Sequence, residues 1–152
     1  MIELRHDDLL KCDAEALVNT VNCVGVMGKG IALAFKEAYP ANFKAYAAAC
    51  KRSEVRPGTM FVSDIGDMFA RKWIVNFPTK QHWSAPSKMV WIEEGLKDLV
   101  RFVEANKVAS IAIPALGCSN GGLPWNDVRP RIERAMEPLT GTRVFLYPPQ
   151  GN

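Results

Sequence analysis

Lys80 is the conspicuous reactive group of this chain, set directly after the apolar run Trp73-Ile-Val-Asn-Phe-Pro-Thr79. That run reads as a strand, and an open α/β sheet binds its ligands at the carboxyl ends of its strands. A lysine there can pair with phosphate, or serve as a nucleophile once desolvation lowers its pKa enough to supply free amine. The plainer alternative is a solvated lysine at a loop start. Thr79 beside it offers a hydroxyl and a backbone N–H. Gln81-His82-Trp83 follow on an irregular segment, a polar and aromatic trio suited to stacking on a base and equally to covering a sheet edge.

Two apolar runs empty into glycine-rich loops that then open helices. Residues 16–22 precede Gly25-Val-Met-Gly28-Lys-Gly30, and residues 110–116 precede Gly117-Cys-Ser-Asn-Gly121-Gly122. Glycine lets the backbone approach an anion and turn its N–H groups toward it, and a following helix N-terminus adds partial positive charge. The pair is expected to clamp a phosphorylated ligand from both sides, although a lone glycine loop is more often just a turn. Asn19 and Asn22 are polar in or just after an apolar strand, so each is tied into a neighbouring loop or turned toward ligand hydroxyls, with Asn22 the better candidate. Asp8 stands at another strand-to-connector junction, where its carboxylate either accepts from an adenine amino group or caps a turn. Carboxylates are not paired near either loop, and His6 and His82 are the only histidines. Hydrolysis by two carboxylates or by a serine triad is therefore poorly supported.

At 152 residues the chain is one domain, large enough to bury a core without staples, and 48% hydrophobic with 23% charged is an ordinary globular composition. Cys12, Cys23, Cys50 and Cys118 are spread without a C-x-x-C pair or a histidine at ligand spacing, which argues against zinc. No leader-like stretch follows Met1, and no run approaches the roughly 18 apolar residues of a membrane span. A cytoplasmic location, free thiols and no membrane partner are expected. The net charge of +3 neither proves nor opposes a nucleic-acid partner. Lys51-Arg52, Arg56, Arg71-Lys72, Arg129, Arg131, Arg134 and Arg143 would draw in a polyanion if they shared the face of the loops; otherwise they are a solvated surface.

Strands are expected over 2–5, 16–22, 59–65, 73–77, 110–116 and 143–147, the third and fourth forming a hairpin turned tightly at Gly66-Asp67. Helices are expected over 30–39, stopped by Pro40, over 41–51, over 87–106 and over 125–139. The third is the clearest: Met89, Ile92, Leu96, Leu99, Val100 and Val103 make one apolar stripe that must pack on a sheet. Alternating strands and helices around a hairpin predict an α/β sandwich with a mixed sheet. The domain is expected over 1–148, with 149–152 as a tail or the start of a linker.

Assembled, these residues resemble the macrodomain family, the three-layer α/β/α module that binds ADP-ribose. The resemblance runs through Asp8-Leu9-Leu10, Ala14 to Asn22, Gly25 to Ala32 and Ile111 to Trp125, nearly the whole chain. The Met-Gly-Lys-Gly-Ile-Ala segment, the Thr79-Lys80 pair and the Gly-Leu-Pro-Trp ending narrow it to the branch of the human terminal ADP-ribose glycohydrolase and the bacterial DarG antitoxins, closer to the latter. The resemblance implies that Asp8 and Leu9 hold adenine. Thr20, Val21, Asn22, Met27, Gly28, Gly30 and Ile31 would hold the distal ribose, and Gly117, Cys118, Ser119, Asn120 and Gly121 the pyrophosphate. Thr79 and Tyr147 complete the ligand set, and Lys80 is the catalytic residue. The implied activity is that of a DNA ADP-ribosyl glycohydrolase, a hydrolase that strips ADP-ribose from modified DNA bases as antitoxin to a DNA ADP-ribosyltransferase. Single-stranded modified DNA would lie against His82 and Trp83, and the toxin would be engaged through a region beyond this chain. A monomer with no cofactor and no metal is expected. Two other readings are a domain that binds ADP-ribose without cleaving it, and a hydrolase of protein-linked ADP-ribose or of O-acetyl-ADP-ribose. One departure bears on them: the human enzyme carries a catalytic aspartate in the second loop, where this chain has Gly121. Lys80 would then attack the anomeric carbon or the opened ribose aldehyde as an amine, or assist departure of the base as an ammonium.

Overall fold

Strands whose two faces are both covered read as unbroken apolar runs, and the middle of this chain's sheet is built from three of them. The computed structural model describes residues 2–150. Its elements are β1 (Ile2–Leu4), a 3-10 turn (Leu9–Lys11), β2 (Ala16–Val21), α1 (Gly30–Ala38), α2 (Pro40–Lys51), β3 (Phe61–Asp64), β4 (Trp73–Pro78), α3 (Met89–Asn106), β5 (Ser110–Ile113), α4 (Trp125–Met136) and β6 (Arg143–Leu146). The sheet order is β1-β6-β5-β2-β4-β3, parallel throughout except for β3, which returns antiparallel on β4. This is the expected mixed sheet.

Alternation along the strands sorts the core into two layers. Ala16, Val18, Val75, Phe77, Ile111, Ile113, Val144 and Leu146 pack with Ile92, Leu96, Leu99 and Val103 of α3 and Val128, Ile132 and Met136 of α4. On the other face Leu17, Ile74, Ala112 and Phe145 pack with Phe35 of α1, and Val21 with Tyr46 and Ala49 of α2. Three layers result, α/β/α. Pro40 separates α1 from α2 by occupying the first position of the second helix, where its missing N–H costs nothing. Among the described residues, no helix is long and apolar enough to cross a membrane, and all four cysteines are free thiols.

β3 and α4 are shorter than expected, at Phe61–Asp64 and Trp125–Met136, and three further departures have a local cause. β5 ends at Ile113 rather than 116, because Pro114 has no N–H to continue the ladder. α3 begins at Met89, since the backbone N–H of Ser87 is taken by Gly121 O at 3.0 Å and Lys88 is still extended. The β3–β4 hairpin is not turned tightly at Gly66-Asp67. Ile65 N–H bonds Lys72 O, Asp67 N–H bonds Ala70 O, and Asp67 Oδ1 accepts from the N–H groups of Phe69 and Ala70, so the turn is centred on Met68-Phe69. Those two side chains are 87% and 89% exposed.

Candidate functional site

The sheet is stitched into two blocks that part at their carboxyl ends. β1, β6 and β5 stay paired to the last residue, with Arg5 N–H on Leu146 O and Tyr147 N–H on Ile113 O, both 2.9 Å. β2 and β4 likewise pair through Val21 and Pro78, after which Thr79 N–H bonds Val21 O at 2.9 Å and Cys23 N–H bonds Gln81 O at 3.1 Å. Between the blocks, β5 pairs with β2 only at Ala16–Ile111 and Leu17–Ala112. The strands then diverge, and both glycine loops lie over the gap. The result is a cleft of about 1280 Å³ at the carboxyl edge, where the sheet's strand order reverses.

The first loop is held from inside by one side chain. Asn22, 5% exposed, donates from Nδ2 to Val26 O at 2.8 Å, while its Oδ1 accepts from Val24 N–H at 3.0 Å, Val26 N–H at 3.4 Å and the Tyr46 hydroxyl at 2.8 Å. Tyr46, wholly buried on α2, also donates to Asn22 O. The loop and Tyr46 thus take all the acceptor capacity of Oδ1 and one Nδ2 hydrogen, and the second Nδ2 hydrogen has no partner among the described residues. Behind it, Asn19 Nδ2 reaches Met27 Sδ at 3.7 Å and Asn76 Oδ1 at 3.3 Å, and Asn76 exchanges amide bonds with Asn42 of α2.

The second loop is held by close packing of its backbone. Gly117 has φ +74°, which L side chains rarely adopt. A Cβ on Gly121 would stand 2.2 Å from Ser87 Oγ and 2.5 Å from Gly117 O. No acidic side chain fits at Gly121 without moving the loop, so the departure from the human enzyme is built into the packing. Lys80 reaches across to this loop: its Nζ donates to Trp83 O at 3.0 Å and to Asn120 O at 3.4 Å. Burial, and then the positive charge of Lys29, lower the Lys80 pKa from the ordinary lysine value. Burial pushes the thiols of Cys23 and Cys118 up to about 11, so neither supplies thiolate at neutral pH.

At the β1 end of the cleft the lining is acidic and aromatic. Asp8 is exposed; its Oδ1 accepts the N–H of Leu10 at 3.0 Å and caps the 3-10 turn. Leu9 and Tyr147 are buried beside it, and the Tyr147 hydroxyl, its pKa raised by burial and by Cys12 and Asp7 nearby, has no partner meeting hydrogen-bond geometry.

The family described as "Macro domain" matches residues 18–132. The chain belongs to that family. Across its full length this macro domain is 55% identical to a curated protein of Mycobacterium tuberculosis named "DNA ADP-ribosyl glycohydrolase", covering 99% of this chain and 43% of that protein. A Thermus aquaticus protein of the same name is 52% identical, covering 100% of this chain and 42% of the relative. The chain thus spans about two fifths of the length of these relatives. Among solved structures, the macrodomain of Mycobacterium tuberculosis DarG superposes with a TM-score of 0.95 over 99% of both chains at 55% identity. Thermosipho africanus DarTG in complex with ADP-ribose superposes with a TM-score of 0.90 at 32% identity, over 97% of this chain and 41% of that one.

The macro-domain fold brings most of the expected residues to one wall. Asp8, Leu9, Thr20, Val21, Asn22, Gly28, Gly30, Ile31, Thr79, Lys80, Trp83, Gly117 through Gly121 and Tyr147 all line the cleft. Met27 does not: at 1% exposure it packs with Val21, Tyr46 and Ala49 beneath the first loop, its sulfur against Asn19. Asn19 is likewise a core amide rather than a ligand contact. His82 lies outside the lining; its Nδ1 accepts the Ser84 N–H at 3.1 Å and its ring sits 5.1 Å from that of Trp83, which is 53% exposed at the rim. None of the nine basic residues that would draw in a polyanion if they shared the face of the loops lines the cleft, so the solvated-surface reading holds for them. Arg52, Arg71, Arg129 and Arg131 pair with carboxylates, Lys72 binds the carbonyls of Cys12 and Ala14, and Arg143 lies over the Phe145 ring. The cations that do line it are Arg5, Lys29 and Lys80. Arg5, His6 and Asp7 were missed, as were Pro114 and Ala115; all follow directly on parallel strands, and the strand-end rule that picked Lys80 finds them too. Pro149 and Gln150, expected as tail or linker, also line the cleft beside Pro148, whereas Met1, Gly151 and Asn152 lie outside the described residues.

Proposed function

We propose that this macro domain is an ADP-ribosyl glycohydrolase that releases ADP-ribose from modified bases of single-stranded DNA, and so counteracts a DNA ADP-ribosyltransferase toxin. The observation that carries the reading is the Lys80 amine, bound by the carbonyls of Trp83 and Asn120 between two glycine loops and made less basic by burial. Relatives over 50% identical bear the name DNA ADP-ribosyl glycohydrolase, and a Thermosipho africanus relative is named a fusion of DNA ADP-ribosyl transferase and glycohydrolase, which supports the pairing with a toxin. ADP-ribose lies along the cleft with adenine at Asp8 and Leu9, the diphosphate on the second loop and the distal ribose beside Asn22 and Lys80. Trp83 at the rim offers a stacking face to the base, which an unpaired strand can present. The domain acts as a monomer in the cytoplasm, where DNA is the substrate and four free thiols stay reduced.

Lys80 acts as the nucleophile. Its lone pair forms a bond to the anomeric carbon as the glycosidic bond breaks, and the electron pair leaves on the base nitrogen, which takes up the proton that the Lys80 nitrogen gives up. The ribose ring of the adduct opens to an imine, water adds at the imine carbon, the carbon–nitrogen bond breaks with its electron pair returning to Lys80, and the ring recloses to free ADP-ribose with the amine regenerated. Gly121 favours a second reading, in which the domain binds ADP-ribose without cleaving it, because no acid stands in the second loop. One assay separates the two. Incubated with an ADP-ribosylated single-stranded oligonucleotide, the wild type should release ADP-ribose, and Lys80→Ala should lower the rate at least about 100-fold while ADP-ribose binding changes by less than about threefold. An inert wild type that binds ADP-ribose leaves the non-cleaving reading. Release from glutamate-linked ADP-ribose but not from DNA would move the substrate to protein.

A further inference from the structure

Lys29 is a cation that the fold itself does not use. It is the exposed N-cap residue of α1, it makes no side-chain cap bond, and the first turn of that helix holds no acidic residue. A positive charge there opposes the helix dipole. Among the described residues, neither Lys29 nor Lys80 makes an ion pair, whereas Arg5, the other cation of the cleft, is matched by Glu3 and Asp7. The cleft is therefore polarised. Asp7 and Asp8 stand at its β1 end, and two lysines without a carboxylate partner, Lys29 and Lys80, stand at the end where the glycine loops meet. They meet closely: a Cβ on Gly30, the residue after Lys29, would lie 3.7 Å from Asn120 Nδ2 of the second loop. Exposed Trp83 lines the same cleft, and its carbonyl holds the Lys80 amine.

An unpaired Lys29 ammonium facing this opening, beside a second lysine made less basic, is a site for an anion. In the arrangement proposed above, the diphosphate of ADP-ribose lies against the second loop, and the first loop faces the distal ribose. The anion nearest Lys29 then belongs to whatever the ribose is attached to. Resting on that reading of the substrate, we infer that Lys29 is a specificity-determining contact to a phosphodiester of the DNA strand that carries the ADP-ribose. A contact of this kind reads no sequence; it sets the position of the strand and selects nucleic acid over uncharged or protein-linked acceptors. That Lys29 also lowers the Lys80 pKa fits its standing close to the reacting end.

The test compares wild type, Lys29→Ala and Lys29→Arg on two probes, in binding and in turnover, from about 50 to 200 mM salt. One probe is a single-stranded oligonucleotide with one ADP-ribosylated base; the other is the same ADP-ribosylated nucleoside with no flanking phosphate. Lys29→Ala should lose about tenfold more on the oligonucleotide than on the nucleoside, and its log–log salt slope on the oligonucleotide should be shallower by about 0.7, one single-strand phosphate contact. Lys29→Arg should recover most of both. Equal losses on the two probes, or a salt slope that does not change, would overturn the contact. Equal losses accompanied by a pH–rate profile moved toward ordinary lysine would assign Lys29 instead to tuning Lys80. If the wild type releases ADP-ribose from neither probe, the glycohydrolase reading fails separately, and the two binding series still decide the Lys29 contact.

Discussion

The two glycine loops look alike in sequence and are held by opposite means. The first is organised by a side chain: Asn22 binds three loop groups and is itself fixed by Tyr46 of α2. The second is organised by its own backbone, packed so closely at Gly121 that Ser87 Oγ and Gly117 O occupy the space of a Cβ, with Lys80 on the carbonyl of Asn120. The first loop is thus set by side chains of the core. The second shares its position with Ser87 and Lys80, so its backbone and the Lys80 amine are placed together.

Breaking each loop at its own anchor should separate these two modes. Asn22→Ala removes the partner of buried groups on two elements, at about 1–3 kcal/mol for each group left unsatisfied, and should destabilise the protein by about 3 kcal/mol in urea unfolding. Stability unchanged within about 0.5 kcal/mol, the usual scale of a surface substitution, would mean that Asn22 does not organise the loop. Gly121→Ala should act on the ligand more than on the fold, weakening ADP-ribose binding about tenfold in calorimetry as the loop shifts away from Gly117 O. Adding Ser87→Ala should not rescue it, because the clash with the Gly117 carbonyl remains; full rescue would locate the restraint in Ser87 alone. Trp83→Ala touches neither anchor. It should weaken binding of modified single-stranded DNA by about 1 kcal/mol, about fivefold, with free ADP-ribose unaffected; equal losses on both would remove Trp83 from the nucleic-acid face.

Local pattern made much of this legible. The 3.6-residue stripe of α3, the strand-to-glycine junctions and the strand end that carries Lys80 each depend on neighbours in sequence. What was not legible depends on pairs brought together by the fold. Asn42 and Asn76 exchange amide bonds across 34 positions, and nothing beside either residue in the chain announces the other. Met27 carries the family motif yet points into the core, because its loop folds back over α2. β1 is three residues long, and only its pairing with β6 brings Arg5, His6 and Asp7 to the cleft. The pairing of the basic residues was hidden for the same reason: Arg131 and Glu93 are 38 positions apart and 3.0 Å from each other. Gly121 was read as an acid lost, and the structure adds that the second loop has closed over the space an acid would need.

The account turns on a neutral Lys80 amine that meets the distal ribose. Because burial and Lys29 lower its pKa, the free-amine fraction grows as pH rises through a value below that of ordinary lysine, and turnover should rise along the same limb. The direct measurement is borohydride reduction during turnover of ADP-ribosylated single-stranded DNA, followed by peptide mass spectrometry. A reduced ribosyl adduct on Lys80, absent without substrate and absent in Lys80→Arg, is the predicted result. Full turnover with no adduct on Lys80 under reducing conditions that trap a model imine would contradict it.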